Sequence, residues 1–316
     1  MRKEKQISTN CFLLIFLLLT LLSCQTMPNI PDAVLEETNR IPLEGGARVY
    51  VFADVKAAKP ILDLVPIVEM SDKQVKQMIE KTNTAVVALY PPESGRRFQV
   101  AAWGSYPSSQ AGMAFGISKY WKKQRSAAGF SYWHSSAERL SIALNSKQAF
   151  VAAWTEGAPG DPVTAAPGVE YPEGLGEFRR GAVLSCWLED PGPWLGLILE
   201  EAGIPLQIPA ERMFLSLFPA AAQSAAAQPA AGQQYEAMIR MSFSSASQAR
   251  ALTVLLSLAR SFMPPTQAGT EAGRMSVMAA VLFANQPVQD GQYLNIKTAA
   301  LTEKEIALLF DIFSVY

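Results

Sequence analysis

The chain has 316 residues, of which 27 are basic and 28 acidic, for a formal net charge of -1. That near balance lacks the basic surface that nucleic-acid binding requires, so nucleic acid is excluded as a partner. Hydrophobic residues make up 49% and charged ones 17%. This is apolar for a soluble protein and leaves room for part of the surface to face lipid.

The N-terminus holds the first element. Arg2, Lys3 and Lys5 precede an apolar run from Phe12 to Leu22, the length of a signal-peptide core and too short to span a bilayer. Leu21, Leu22, Ser23 and Cys24 close it with the pattern a bacterial lipoprotein signal peptidase reads, small Ser23 standing before the cut. The mature chain is expected to begin at Cys24, whose thiol takes a diacylglyceryl thioether and which would also carry acyl chains such as palmitate. The alternative is an ordinary signal peptide, residues 1–23, followed by a coincidental cysteine. Cleavage removes three basic residues and one acid, leaving 24 and 27 and a formal charge of -3. Cys11 leaves with the signal and Cys24 is acylated, so Cys186 stands alone and no intrachain disulfide is expected. Residues 24–44, with Pro28, Pro31 and Pro42, read as a lipidated, extended tether.

The body follows from 45 to 316. Its first half, about 45–155, reads as strands near 48–54, 84–90, 97–105 and 130–134, with helices near 58–69, 72–81, 108–119 and 136–144. Residues 156–180 hold Pro159, Pro162, Pro167 and Pro172 among glycines and read as a linker or long surface loop. The second half, about 181–316, reads as strands near 182–189, 212–218, 234–243, 277–284 and 293–299, with helices near 193–203, 246–262 and 303–314. Ser or Thr stands three residues before Glu or Gln at Ser71 with Gln74, Ser135 with Glu138, Ser245 with Gln248 and Thr302 with Glu305, each a helix-start signal. Ala, Gln and Pro fill 219–233. The two halves echo one another in order: Val49–Asp54 with Ala182–Asp190, Val86–Pro91 with Phe214–Pro219, and Trp103–Ala111 with Arg240–Ala249. The expected class is α+β, an α/β/α-like arrangement of antiparallel sheet with flanking amphipathic helices in two pseudo-repeated halves.

Three helices are too apolar for one buried face. In Ser247–Met263 the polar Arg250, Thr253, Ser257 and Arg260 make a narrow stripe, and Leu252, Leu255, Leu256 and Phe262 lie among the apolar remainder. The last helix repeats this with Phe310 and Phe313, and Trp194, Leu195, Leu197 and Ile198 form a third short run. Either these helices are sandwiched as core, or they enter a bilayer interface as amphipathic helices rich in Trp, Phe and Leu do. Those ten residues are the candidate membrane or lipid contacts, and Cys24 is the candidate lipidation site.

Gly46 to Phe52, Lys81 to Val86, Gly104 to Pro107 and Gly129 to Trp133 resemble successive core segments of a family of treponemal outer-membrane lipoproteins. The resemblance spreads over roughly 45–316 and is strongest before residue 135, with the Pro-rich insert near 160 and the stretch 219–233 as departures. It implies an acyl anchor at the inner leaflet of the outer membrane, concealment from the cell surface, and an α/β/α fold whose amphipathic helices insert into and permeabilise bilayers. It supplies no catalytic residue.

Reactive chemistry has little to stand on. His134 is the one histidine, lying between Trp133 and Ser135, and no Gly-x-Ser-x-Gly turn supplies a nucleophile. The acid pairs Glu189–Asp190 and Glu200–Glu201 are sequence neighbours that point apart, so no metal is expected. No glycine loop joins a strand to a helix as a phosphate cradle does. Cys186, between Ser185 and Trp187 in a strand-like run, reads as a small buried residue. The expectation is a non-enzymatic lipoprotein anchored at the periplasmic face of the outer membrane that associates with or inserts into the bilayer through amphipathic helices, perturbing its permeability, or carries an apolar or lipid ligand, with no cofactor. A periplasmic scaffold that docks a protein partner through the same apolar surface is the alternative.

Overall fold

The structure is a computed structural model that describes residues 40–62, 80–126, 129, 131–137, 139–155, 160–163, 168–172, 175–193, 195–196, 207–220, 234–262, 284–302 and 305–306. The chain divides into two compact units, 1–59 with 68–174 and 60–67 with 175–316. In order, the elements up to residue 174 are β1 Arg40–Ile41, β2 Val49–Asp54, α1 Val55–Leu62, β3 Thr82–Leu89, β4 Arg96–Gly104, α2 Ser108–Ile117, β5 Lys122–Arg125, β6 Ser131–Ser135, β7 Leu140–Leu144, β8 Gln148–Trp154 and β9 Val169–Glu170. Beyond it come α3 Leu175–Phe178, β10 Leu184–Glu189, β11 Ala210–Pro219, β12 Tyr235–Phe243, α4 Ala246–Phe262, β13 Val288–Asp290 and β14 Tyr293–Leu301.

Antiparallel pairing runs through both units. In the first, the sheet order is β2-β3-β4-β8-β7-β6-β5, while β1 pairs with β9 in a separate ladder. In the second it is β10-β11-β12-β14-β13. Strand β12 alternates buried Tyr235, Ala237, Ile239 and Met241 with half-buried Glu236, Met238 and Arg240, the period-two pattern of a strand covered more on one side. Strands β7 and β10 are instead buried almost throughout, so both their faces are covered. Local chemistry closes the hairpins. Asn145 Oδ1 accepts from the backbone N–H of Lys147 at 2.8 Å and of Gln148 at 2.7 Å, an Asx turn between β7 and β8. Gly291 takes φ +57° in the two-residue connection from β13 to β14.

The first unit's core gathers around α2. Phe115 stacks on Trp133 of β6 with centroids 5.2 Å apart and tilts against Trp121 at 4.9 Å, beside Tyr106, Ala111, Leu140, Ile142 and Val151. The edge of this core depends on one close approach. A Cβ on Gly104 would lie 2.0 Å from the Lys81 carbonyl oxygen, where the β3–β4 register shifts between Thr82 and Thr84. The Ser105 N–H donates to that same carbonyl at 2.9 Å, and the Tyr106 and Thr82 hydroxyls meet at 3.0 Å.

These findings correct the expected α/β/α-like class. Twelve strands of antiparallel sheet dominate the described residues and helices are few, so the sheets are not flanked by helix layers. The largest single reversal is at 136–144, expected as a helix, where Leu140–Leu144 is a strand between β6 and β8. Five further strands, β1, β5, β8, β9 and β13, were not expected at all. The echoed segments do fall on the first, second and third strands of each meander, β2-β3-β4 and β10-β11-β12. Beyond them, the first unit contributes seven of the twelve strands and the second five, so the common order expected of two pseudo-repeated halves does not hold. The remaining expectations at 24–39, 63–69, 72–79, 197–203, 277–283 and 307–314 lie outside the described residues.

Replacing Gly104 with Ala is expected to destabilise the fold by about 1–3 kcal/mol, because the added methyl is driven into a backbone carbonyl. Gly116→Ala, where a Cβ meets open space in a helix, is expected to stabilise by about 0.5–1 kcal/mol. Urea unfolding of both variants, with an unchanged denaturant slope, checks the pair.

Candidate functional site

Helix α4 forms with the bounds its periodicity predicts. Ser245 Oγ accepts from the Gln248 N–H at 3.4 Å, and Gln289 Nε2 donates to the Ala246 carbonyl at 3.0 Å, so the helix start is fixed to β13. One side, carrying Ala249 and Leu252, is buried, and the helix lies on β12, β13 and β14. Because residues three and four apart share a face, Arg250, Ala251, Val254, Leu255 and Leu258 fall on the opposite side, and all five are exposed. The polar stripe is divided, with Arg250 exposed and its neighbours Thr253 and Ser257 set closer to the packed side. Thr253 and Ser257 are half-buried and donate their hydroxyls to the carbonyls of Ala249 and Thr253, at 2.8 and 2.7 Å, so the helix itself satisfies them. The apolar arc is therefore split. Leu252 is 4% exposed and belongs to the core, whereas Leu255 is 45% exposed.

The other candidates are distributed as follows. Leu256 is half-buried on α4, and Leu195 is half-buried after β10 with its N–H on the Pro191 carbonyl. Phe262 ends α4. Its side chain, together with Cys24, Trp194, Leu197, Ile198, Phe310 and Phe313, lies outside the described residues. The start of the last helix is described: Glu305 Oε2 accepts from the Thr302 N–H and hydroxyl, both at 2.7 Å, and Ile306 is buried. This is the expected capping pair.

A second exposed apolar surface was missed. Helix α2 buries Ala111 and Phe115 and turns Met113 and Ile117 outward, the latter 87% exposed, with Tyr120 exposed just beyond. The spacing 113, 117, 120 was legible as a helical stripe, but the segment SSQAGMAFGI holds no charged residue, so no polar face marked which side was which.

Among the described residues, reactive groups are not assembled. The Cys186 thiol is buried on β10 opposite Leu215, and desolvation pushes its pKa up to about 12. His134 is half-buried on β6, with Lys122 and Ser141 as its cross-strand neighbours. Among the described residues there is no cluster of three metal-ligating side chains, and no helix is long and apolar enough to cross a membrane.

Two outcomes follow. Leu252→Ala is expected to cost about 2–5 kcal/mol by opening a cavity under α4, while Leu255→Asp is expected to stay within about 0.5 kcal/mol of the parent in denaturant melts. An aromatic disulfide reagent at neutral pH is expected to leave Cys186 unlabelled in the folded protein, since almost no thiolate exists that far below about 12, and to label it once denaturant returns it to the ordinary range near 8.5.

Residues 42–153, about a third of the chain, match a family model described as "Outer membrane-associated lipoprotein TP0453". That span contains every segment of the sequence resemblance, from Gly46 to Trp133, and bears it out. Crystal forms III, IV and I of TP0453 are similar over 87, 88 and 86% of this chain and 96, 99 and 97% of their own, with TM-scores of 0.52, 0.53 and 0.51. Identity is 14, 14 and 15%, so this second likeness is one of fold. No curated protein matches.

Proposed function

We propose that this chain, resembling the outer membrane-associated lipoproteins over residues 42–153, is anchored by acyl chains on Cys24 at the periplasmic face of the outer membrane and touches the bilayer with its body. The observation that carries the second half is the outward face of α4. Val254, Leu255 and Leu258 are exposed together on a helix whose other side already covers its sheet. A helix with a sheet-facing side satisfied has no packing reason to expose three large aliphatic residues, and burial in an interface removes that area from water. The absence of a spanning helix among the described residues is compatible with a body that lies on the membrane and does not cross it.

The anchor and the surface are separable. Acyl burial is worth about 0.8 kcal/mol per methylene, so two or three chains hold a protein almost irreversibly, and Cys24→Ser is expected to move it from the detergent phase to the soluble fraction. On that unacylated background, Leu255→Asp with Leu258→Asp is expected to reduce co-flotation with phospholipid vesicles at least about tenfold, because a carboxylate is costly at membrane depth, with circular dichroism unchanged. Flotation equal to the parent would remove α4 from the membrane. It would leave the scaffold reading, in which the same face docks a protein.

A further inference from the structure

Glu93 and Glu138 enclose a stretch with no Asp or Glu, in a chain whose formal charge is -1, and that stretch contains Arg96, Arg97, Lys119, Lys122, Lys123 and Arg125. The last four are exposed, in the turn after α2 and on β5, the edge strand of its sheet. The pleat sorts them. Lys123 stands opposite Trp133 in the β5–β6 register, with its ammonium 5.8 Å from the Trp133 ring centroid, and Trp133 is the ring on which Phe115 of α2 stacks. Cross-strand partners share a face and residues two apart share it too, so Lys123 and Arg125 emerge on the α2 side. Lys122 and Gln124 take the other side. Lys119 stands in the turn between α2 and β5, its ammonium 5.1 Å from the Tyr120 ring centroid. Beside these cations lies a helix with no ionisable residue, whose outward face carries Met113 and Ile117.

We infer that α2 and β5 form a docking surface selective for an anionic phospholipid bilayer. Met113, Ile117 and Tyr120 enter the acyl boundary, while Lys119, Lys123 and Arg125 meet head-group phosphates. The inference rests on the membrane reading above and adds a lipid preference to it. An apolar stripe beside cations that no acid offsets in sequence matches an interface with negative charge at its surface and hydrocarbon beneath. Nucleic acid would answer to the cations and leave the stripe without a role.

The test uses the chain from residue 24 onward with Cys24→Ser, which retains every described element. Co-flotation is measured with vesicles of phosphatidylcholine alone and of phosphatidylcholine doped with phosphatidylglycerol. The parent is expected to prefer the anionic vesicles and to lose that preference as salt rises. Lys119→Gln, Lys123→Gln and Arg125→Gln together are expected to weaken anionic-vesicle binding on the order of a hundredfold, with Lys122→Gln costing less than about threefold. Lys119→Arg with Lys123→Arg is expected to bind as the parent does, which separates charge from packing against Trp133. Equal flotation of the parent and the triple variant with anionic vesicles overturns the inference and leaves the α4 reading standing. A parent that floats with neither vesicle overturns both. A short duplex DNA that binds the parent more tightly than anionic vesicles do, and loses the triple variant, would also overturn it by making the surface one for nucleic acid.

Discussion

How closely a helix can approach its sheet governs much of what these units expose. Helix α2 comes down on β6 beside Gly112, where a Cβ would lie 3.4 Å from the Trp133 ring, and Ala111 and Phe115 are both fully buried on that side. Helix α4 does the same in the second unit with Ala249 and Leu252. A helix seated this closely on a pleated surface covers only part of its circumference, and whatever apolar residues stand on the remainder must be accepted by something other than the sheet. The sheets take no more, because strands such as β7 and β10 are already covered on both faces.

Legibility of the sequence followed the same physics. Helix 246–262 was found to the residue, since Ser245 and Gln248 mark its start and its periodicity is long. Strand β7 was read as helix because LSIAL, buried throughout, has no polar alternation, while Ser135 and Glu138 imitate a helix start. Strand β5 was invisible because KKQR is an edge strand with all four side chains in solvent, and nothing hydrophobic announces it. For α4 the periodicity left the orientation open. Four polar residues on a line suggest a wet face, yet Thr253 and Ser257 can bond their own helix and sit at the flank of the packed side. Which aliphatic residues are left outward depends on where the sheet lies, and that is not a property of the helix sequence.

The family likeness lives in junctions and not in reactive groups. Gly104 to Pro107, one of the segments that carried the resemblance, ends a strand against a carbonyl that tolerates no Cβ, places a tyrosine hydroxyl on Thr82, and leads into α2. Gly129 holds φ +85° ahead of β6, a left-handed conformation that glycine adopts without strain. Arg96 is sandwiched between the rings of Tyr90 and Trp154 and paired with Glu44, while the fully buried Gln99 accepts from the Glu44 N–H and donates to the Pro162 carbonyl. These contacts fasten two loops to β4 and β8. They are the work of a scaffold, and a fold likeness at 14% identity is what such a scaffold leaves behind when surfaces diverge.

Strand β5 has a further consequence for many copies held on one surface. Confinement to two dimensions raises local concentration, and an edge strand offers an unpaired row of amides and carbonyls to the next molecule. Three like charges on a four-residue strand make that pairing repulsive whenever two copies meet edge to edge, and a short strand gives little ladder in return. The feature that would draw the protein to a negatively charged sheet of lipid would thus also keep crowded copies from polymerising along it.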